Sequence, residues 1–267
     1  MSQYPLLAAT ALSLALASSA WAAPTRCGGS EVKPGDSAAK PVVGAKTISV
    51  DKLKVLKVFS TDDFKVTGDG SSPAWRKAAW EPLDKRPGNK TTYRSRFKML
   101  YSPTGLYVLF NGEDRKLTAT IEKDFADLWN EDAFEFFLWP DEKQTVYFEY
   151  EISPLNRELA ILIPNFDGRF LGWRPWHYEG ARKTRKATSV SGGTAKSGAD
   201  ISGWTAEVFV PYALLEPLGN VPPRPHTRWR ANFYRVDYDG GHGSGWDWMR
   251  VGPSFHEFKK FGVLEFE

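Results

Sequence analysis

Three glutamates, Glu135, Glu149 and Glu151, stand in two neighbouring segments that mix acid with large apolar side chains, "DAFEFFLWP" and "TVYFEYEISPL". Three tryptophans, Trp129, Trp246 and Trp248, lie in turn-rich sequence where an indole face can stay accessible. Together these types suit the recognition of a polyhydroxylated ring. An indole stacks on an apolar face of C–H groups, and a carboxylate accepts hydrogen bonds from paired hydroxyls. A pair such as Glu135 with Glu149 or Glu151 also suits general acid–base attack on a glycosidic bond, so a glycoside hydrolase is the alternative reading. Asn232 and Arg235, on "RANFYRVD", are further candidates; successive strand residues face opposite ways, so only one of them is expected to reach a ligand. The loop "DYDGGHGSGWDW", Asp237 to Trp248, has Asp and Gly spacing loosely like a calcium loop but lacks the distal glutamate. A structural calcium there or near Asp132 is the one metal that the pattern invites, and no cofactor is required. The four histidines, His177, His226, His242 and His256, have no metal-ligand spacing.

These residues must be positioned by strands. "TTYRSRFKMLY", "GLYVLFNGED", "DAFEFFLWP", "TVYFEYEISPL", "ELAILIPN", "GWTAEVFVP" and "RWRANFYRVDY" are rich in aromatic and β-branched residues and bounded by Gly, Pro, Asn or Asp. Only Tyr212 to Leu218 suggests a short helix. Many short strands without intervening helices predict an all-β chain: a jelly-roll-like β-sandwich of two mainly antiparallel sheets. Alternation assigns the faces. Phe134, Phe136 and Leu138 share one face, and Ala133, Glu135, Phe137 and Trp139 the other. Phe148, Tyr150 and Ile152 likewise oppose Glu149, Glu151 and Ser153. If the two segments pair, the acids gather on one side, expected to be a surface, while the phenylalanines build the core. Trp75, Trp204 and Trp229 fall in or beside alternating segments and are expected in that core.

The 267 residues carry 35 basic and 32 acidic side chains, a net charge of +3, with no long basic stretch, which argues against a nucleic-acid partner. The basic run Arg182-Lys183-Thr184-Arg185-Lys186 reads as a solvated hairpin. Residues 1–22 read as an export signal: Leu6 to Ala17 is largely apolar, and Ala20-Trp21-Ala22 offers small residues to a signal peptidase, although no Lys or Arg precedes the run. Residues 23–45, rich in Gly, Pro, Ser, Ala and Lys, read as a flexible tether, and the domain is expected over 46–267. Cys27 is the single cysteine, so no internal disulfide forms; Arg26 beside it does not fit a lipoprotein signal. The expectation is a periplasmic or secreted monomer without a membrane span.

In order along the chain, "GDGSSPAWRKAAW", "GLYVLFNGED", "LWNEDAFEFFLWPDE", "VYFEYEISPLN", "GWTAEVFVPYALL", "RWRANFYRVD" and "FHEFKKFGVLEFE" resemble carbohydrate-binding module family 9. The resemblance spans Gly68 to Glu267. It implies a β-sandwich, non-catalytic sugar binding in polysaccharide catabolism, structural calcium, and a sugar clamped between two tryptophans with acids and amides bonding its hydroxyls. The first tryptophan would be Trp129, six residues before Glu135, and the second Trp246 or Trp248. The chain departs from the family where characterised members carry a basic sugar-contacting residue, because Glu149 and Glu151 stand there. Related sandwiches bind haem through Met and His, a use disfavoured here because only Met99 and Met249 remain after the leader.

Overall fold

A computed structural model describes residues 53–176 and 178–267. The expected leader, the tether, Cys27, His177 and the first residues of the expected domain lie outside the described residues.

All seven segments read as strands form strands. They are β3 (Ser95–Tyr101), β4 (Gly105–Glu113), β5 (Ala133–Trp139), β6 (Val146–Ile152), β7 (Glu158–Phe166), β11 (Gly203–Pro211) and β12 (Arg228–Asp237). The sequence reading passed over β1 (Val55–Ser60), β2 (Glu81–Lys85), β8 (Arg169–Phe170), β9 (Arg174–Pro175), β10 (Arg185–Ser191), β13 (Ser244–Asp247) and β14 (Gly262–Phe266). Tyr212–Leu215 makes one α-helical turn and runs into a 3-10 turn at Glu216–Leu218.

The strands make a β-sandwich. One layer runs β10-β11-β4-β3 and the other β14-β12-β5-β6-β7, each antiparallel throughout. The two layers share one hydrogen-bonded path, because β1 serves both. Val55 to Val58 pair in parallel with β14, and Phe59 and Ser60 then pair in parallel with β3. Strand β2 does the same in antiparallel sense, bridging β3 and β13.

Alternation in β5 and β6 holds as read. Phe134, Phe136, Phe148, Tyr150 and Ile152 pack inward against Phe97, Met99, Val108 and Phe110 of the facing layer. Phe110 stacks on Phe134 at 4.7 Å and Phe97 on Phe233 at 3.8 Å, so aromatic pairs span the interlayer space. Trp75, Trp204 and Trp229 are buried, as expected. The opposite face of β5, β6 and β12 is not solvent. A second apolar cluster, including Phe137, Tyr147, Tyr234, Leu128, Phe258 and Phe261, covers it with residues from connecting segments. The acids expected on a surface therefore sit beneath a second layer of packing.

Candidate binding pocket

Strand pairing sets the floor of a pocket on that outer face. Glu135 of β5 lies directly across from Glu151 of β6, and Glu149 lies one alternation further along β6. Like charges directly opposed on antiparallel strands are destabilising, yet the pairing is kept on two strands whose other face packs Phe134, Phe136, Phe148 and Ile152 into the core. Glu135, Glu149 and Glu151 are 2%, 4% and 0% exposed. Oε1 of Glu135, Oε2 of Glu149 and both oxygens of Glu151 find no hydrogen-bond partner of ordinary geometry, although Glu151 approaches Glu149 and the Trp129 backbone. A buried acceptor without a partner costs on the order of 1–3 kcal/mol.

Burial pushes the Glu135 carboxyl up to about 8, with the Arg86 guanidinium pulling weakly the other way. Burial first, and then the neighbouring carboxylates, hold Glu149 and Glu151 well above the usual range. At neutral pH the floor is therefore largely protonated. A protonated carboxyl both donates and accepts, which suits hydroxyl partners of either sense.

The walls are aromatic and come from loops. Trp129 is half-buried on a single 3-10 turn, Leu128–Asn130, anchored by the wholly buried Leu128. Tyr238 Oη donates to the Trp129 carbonyl at 2.9 Å, and Glu131 accepts from the backbone N–H of Thr120 and Ile121 at 2.7 and 2.9 Å. These bonds fix the indole over the acids. Trp173 meets it edge to face, with ring centroids 5.7 Å apart and planes at 69°. Rings that close touch one another, so the two indoles form a corner and not a pair of jaws. Phe170 arrives on the β7–β8 hairpin, whose tight turn is made by Asp167 and Gly168 at φ 46° and 78°. It stacks on His256 at 4.2 Å, and Phe255 stacks on Tyr234 at 4.2 Å. His256 shares a hydrogen bond between Nδ1 and Tyr147 Oη at 2.8 Å, and burial pushes it down to about 4, so it is uncharged near neutrality. The cavity these groups enclose measures about 350 Å³, inside the range of small-molecule sites.

Of the predicted site residues, Trp129, Glu135, Glu149 and Glu151 come together in this pocket. The other four do not. Trp246 and Trp248 are 0% and 1% exposed and belong to the core between the layers, so neither can offer a face to a ligand. Asn232 is sealed: its Nδ2 donates to Tyr234 Oη and the Met249 carbonyl, and its Oδ1 accepts from the N–H of Phe233 and Met249. Arg235 points the same way as Phe233, into the sandwich, away from the pocket. There Nη2 bonds Asp237 at 2.7 Å and Asp114 at 3.0 Å, while Nη1 donates to Ser95 and the Glu113 carbonyl. A Cβ at Gly112 would come within 2.6 Å of Arg235 Nη1, so glycine is what lets β4 pass over the guanidinium. Trp173, Phe170, Phe255 and His256 were missed. Their only sequence signal is aromatic density in "RFLGWRPW" and "SFHEF".

Asp114, Asp237 and Asp239 bring one carboxylate oxygen each within 4.8 Å of one another, alone in this among the described residues. Asp132 lies nearby, its oxygens accepting from the N–H of Thr118 and Tyr238. Arg235 offsets only part of this charge. Burial pushes Asp114 up to about 7 and Asp132 up to about 8, with neighbouring carboxylates adding to it. Hard oxygen donors with surplus negative charge fit a calcium ion.

Residues 66–159 match the family described as carbohydrate family 9 binding domain-like. That stretch is similar to family 9. A protein of Bacteroides uniformis described as a candidate carbohydrate-binding protein superposes with a TM-score of 0.67 at 17% identity, covering 81% of this chain and 100% of that one. A family 9 module of Caldicellulosiruptor kristjanssonii in complex with cellotriose gives 0.57 at 14% identity, covering 80% and 94%. The same kind of module with glucose gives 0.56 at 12%, covering 79% and 95%. At these identities the likeness establishes the sandwich fold. No curated protein matches the chain closely enough to count as a relative. Trp129 and the three glutamates fall inside the matched stretch, whereas Trp173, Phe255 and His256 lie beyond it.

Proposed function

We propose that this domain binds a carbohydrate without cleaving it, seating a sugar ring against the corner of Trp129 and Trp173 with its hydroxyls on Glu135, Glu149 and Glu151. The observation that carries the reading is the set of unpartnered carboxyl oxygens at the bottom of an aromatic-walled cavity. Buried acceptors are normally satisfied, and a ligand with paired hydroxyls would satisfy these. The family 9-like fold supports the same reading, since one structural neighbour was solved with cellotriose and glucose. The leader read over residues 1–22 supports a periplasmic or secreted location, where the domain would serve polysaccharide catabolism. Asp114, Asp237 and Asp239 are where a structural calcium would be held.

The test is binding of glycans to the full chain and to two variants. Trp129→Ala removes one stacking face and is expected to weaken binding by about 2 kcal/mol, more than tenfold. Glu135→Gln keeps shape and one acceptor, so it should weaken binding less. The directly opposed Glu135 and Glu151, with Glu135 titrating near 8, favour hydrolysis as the second reading. Release of reducing ends that disappears in Glu135→Gln while sugar affinity persists would establish the hydrolase and refute the binder.

A further inference from the structure

The pocket's electrostatics specify more than a neutral sugar. The polar groups lining the cavity are three glutamates and a histidine, with no lysine or arginine among them. The nearest guanidinium, Arg86, is held elsewhere: Nη1 bonds Asp247 at 2.8 Å, Nη2 the Pro253 carbonyl at 3.0 Å, and its plane lies 4.7 Å over Phe255. The remaining titratable groups facing the glutamates carry no charge near neutrality. Tyr147 on β6, Tyr234 on β12 and Tyr238 beyond it are all pushed up by burial, and His256 is pushed down. Among the described residues, the glutamates' oxygens form no group as close as that of Asp114, Asp237 and Asp239. A buried acid cluster enclosed by indole and phenyl faces is complementary to a cation, which aromatic faces attract and ionised carboxylates bond.

We infer that the pocket selects a sugar bearing a free ammonium group, a 2-amino-2-deoxy hexose within a glucosamine-containing oligosaccharide. The inference rests on the sugar-binding reading above and adds the charge of the ligand. The ring stacks on the Trp129–Trp173 corner, its hydroxyls and ammonium meet Glu135, Glu149 and Glu151, and acidic sugars are repelled. Binding an ammonium favours ionised carboxylates, so protons held by the empty floor are released as the sugar enters, and affinity rises with pH until the ligand's amine deprotonates. A neutral sugar has no such linkage.

The experiment is isothermal titration of the full chain near pH 6 with the β-1,4-linked glucosamine trimer, its fully N-acetylated counterpart, cellotriose and choline. Each titration is run in two buffers of different ionisation enthalpy. The glucosamine trimer is expected to bind about tenfold tighter or more than either neutral trimer, since about 1.4 kcal/mol of charge-assisted bonding is tenfold. Proton release should accompany it alone among the sugars. Glu149→Gln should bring the three trimers to within about threefold of one another. Should that variant not fold, proton release by the unaltered chain decides the matter. Neutral trimers that bind as tightly as the glucosamine trimer overturn this inference and leave carbohydrate binding standing. So does an amine preference without proton release, which puts the ammonium outside the pocket. Choline binding with no sugar binding overturns both readings.

Discussion

Two clusters of buried acid lie on opposite faces of the same sheet. Around Arg235, the aspartates are met by a guanidinium, by backbone N–H groups and by the hydroxyls of Tyr93 and Thr118. In the pocket, Glu135, Glu149 and Glu151 keep oxygens without a hydrogen-bond partner of ordinary geometry, the Glu149 Oε2 lying 3.8 Å from His256 Nδ1. Composition is alike and satisfaction differs. A fold that meets both oxygens of Glu207, from Thr67, Gly68 and Trp75, leaves the pocket's acids incomplete. That incompleteness, at the bottom of an aromatic-walled cavity, is what the proposed ligand would satisfy.

The sharpest way to break the comparison is to remove one partner from each side. Arg235→Met should destabilise the domain by about 3–5 kcal/mol, because it strands carboxylates inside the sandwich. Glu149→Gln should be neutral or stabilising, since it replaces a carboxyl whose Oε2 the fold does not pair. Urea midpoints for the two variants check this, and comparable losses would erase the distinction. Next comes metal. With calcium at about a hundredfold its dissociation constant, stabilisation is about 2.7 kcal/mol, so chelation should lower the melting temperature and added calcium restore it. No change on chelation would leave Arg235 as the aspartates' sole counter-charge.

The smallest effect is a slope. The native state keeps protons on Glu135, Glu149 and Glu151 that the unfolded chain has already lost. For Glu135 the folded value is raised from 4.5 to about 8. Below the lower value both states are protonated and its contribution is fully present. Above it the native state binds more protons, so stability falls as pH rises through this window, by about 1.4 kcal/mol per unit for one such group. Glu135→Gln should flatten the slope measured in denaturant melts between pH 5 and pH 8, a range bounded by those two values. An unchanged slope would show that the pocket does not hold its protons.

Much of this was legible. Alternation in β5 and β6 placed every inward phenylalanine and gathered the glutamates on one side, because strict period two leaves no freedom once the strands pair. It could not show what covers the acid face, since Phe258 and Phe261 come from a segment with no strand period. Trp246 and Trp248 were misread because Gly240, Gly241, Gly243 and Gly245 make "GGHGSGWDW" look like a loop. Ser244–Asp247 is instead a short strand, β13, which turns Trp246 inward, and Trp248 just past its end is buried in the same core. Trp173 and Phe255 reach the pocket through chain folding that no local pattern records.

The shared strand β1 has a consequence for how the molecule is made. Its register partners lie on β14, at the far end of the domain, so the contact that joins the layers closes nearly the whole chain into a loop. Such distant pairing is slow to form. On a chain emerging amino end first, β1 is produced early and waits for its partner until β14 has emerged. Until then the sandwich stands open along one seam. Under the proposed export, that delay would keep the chain loose enough to be threaded across a membrane.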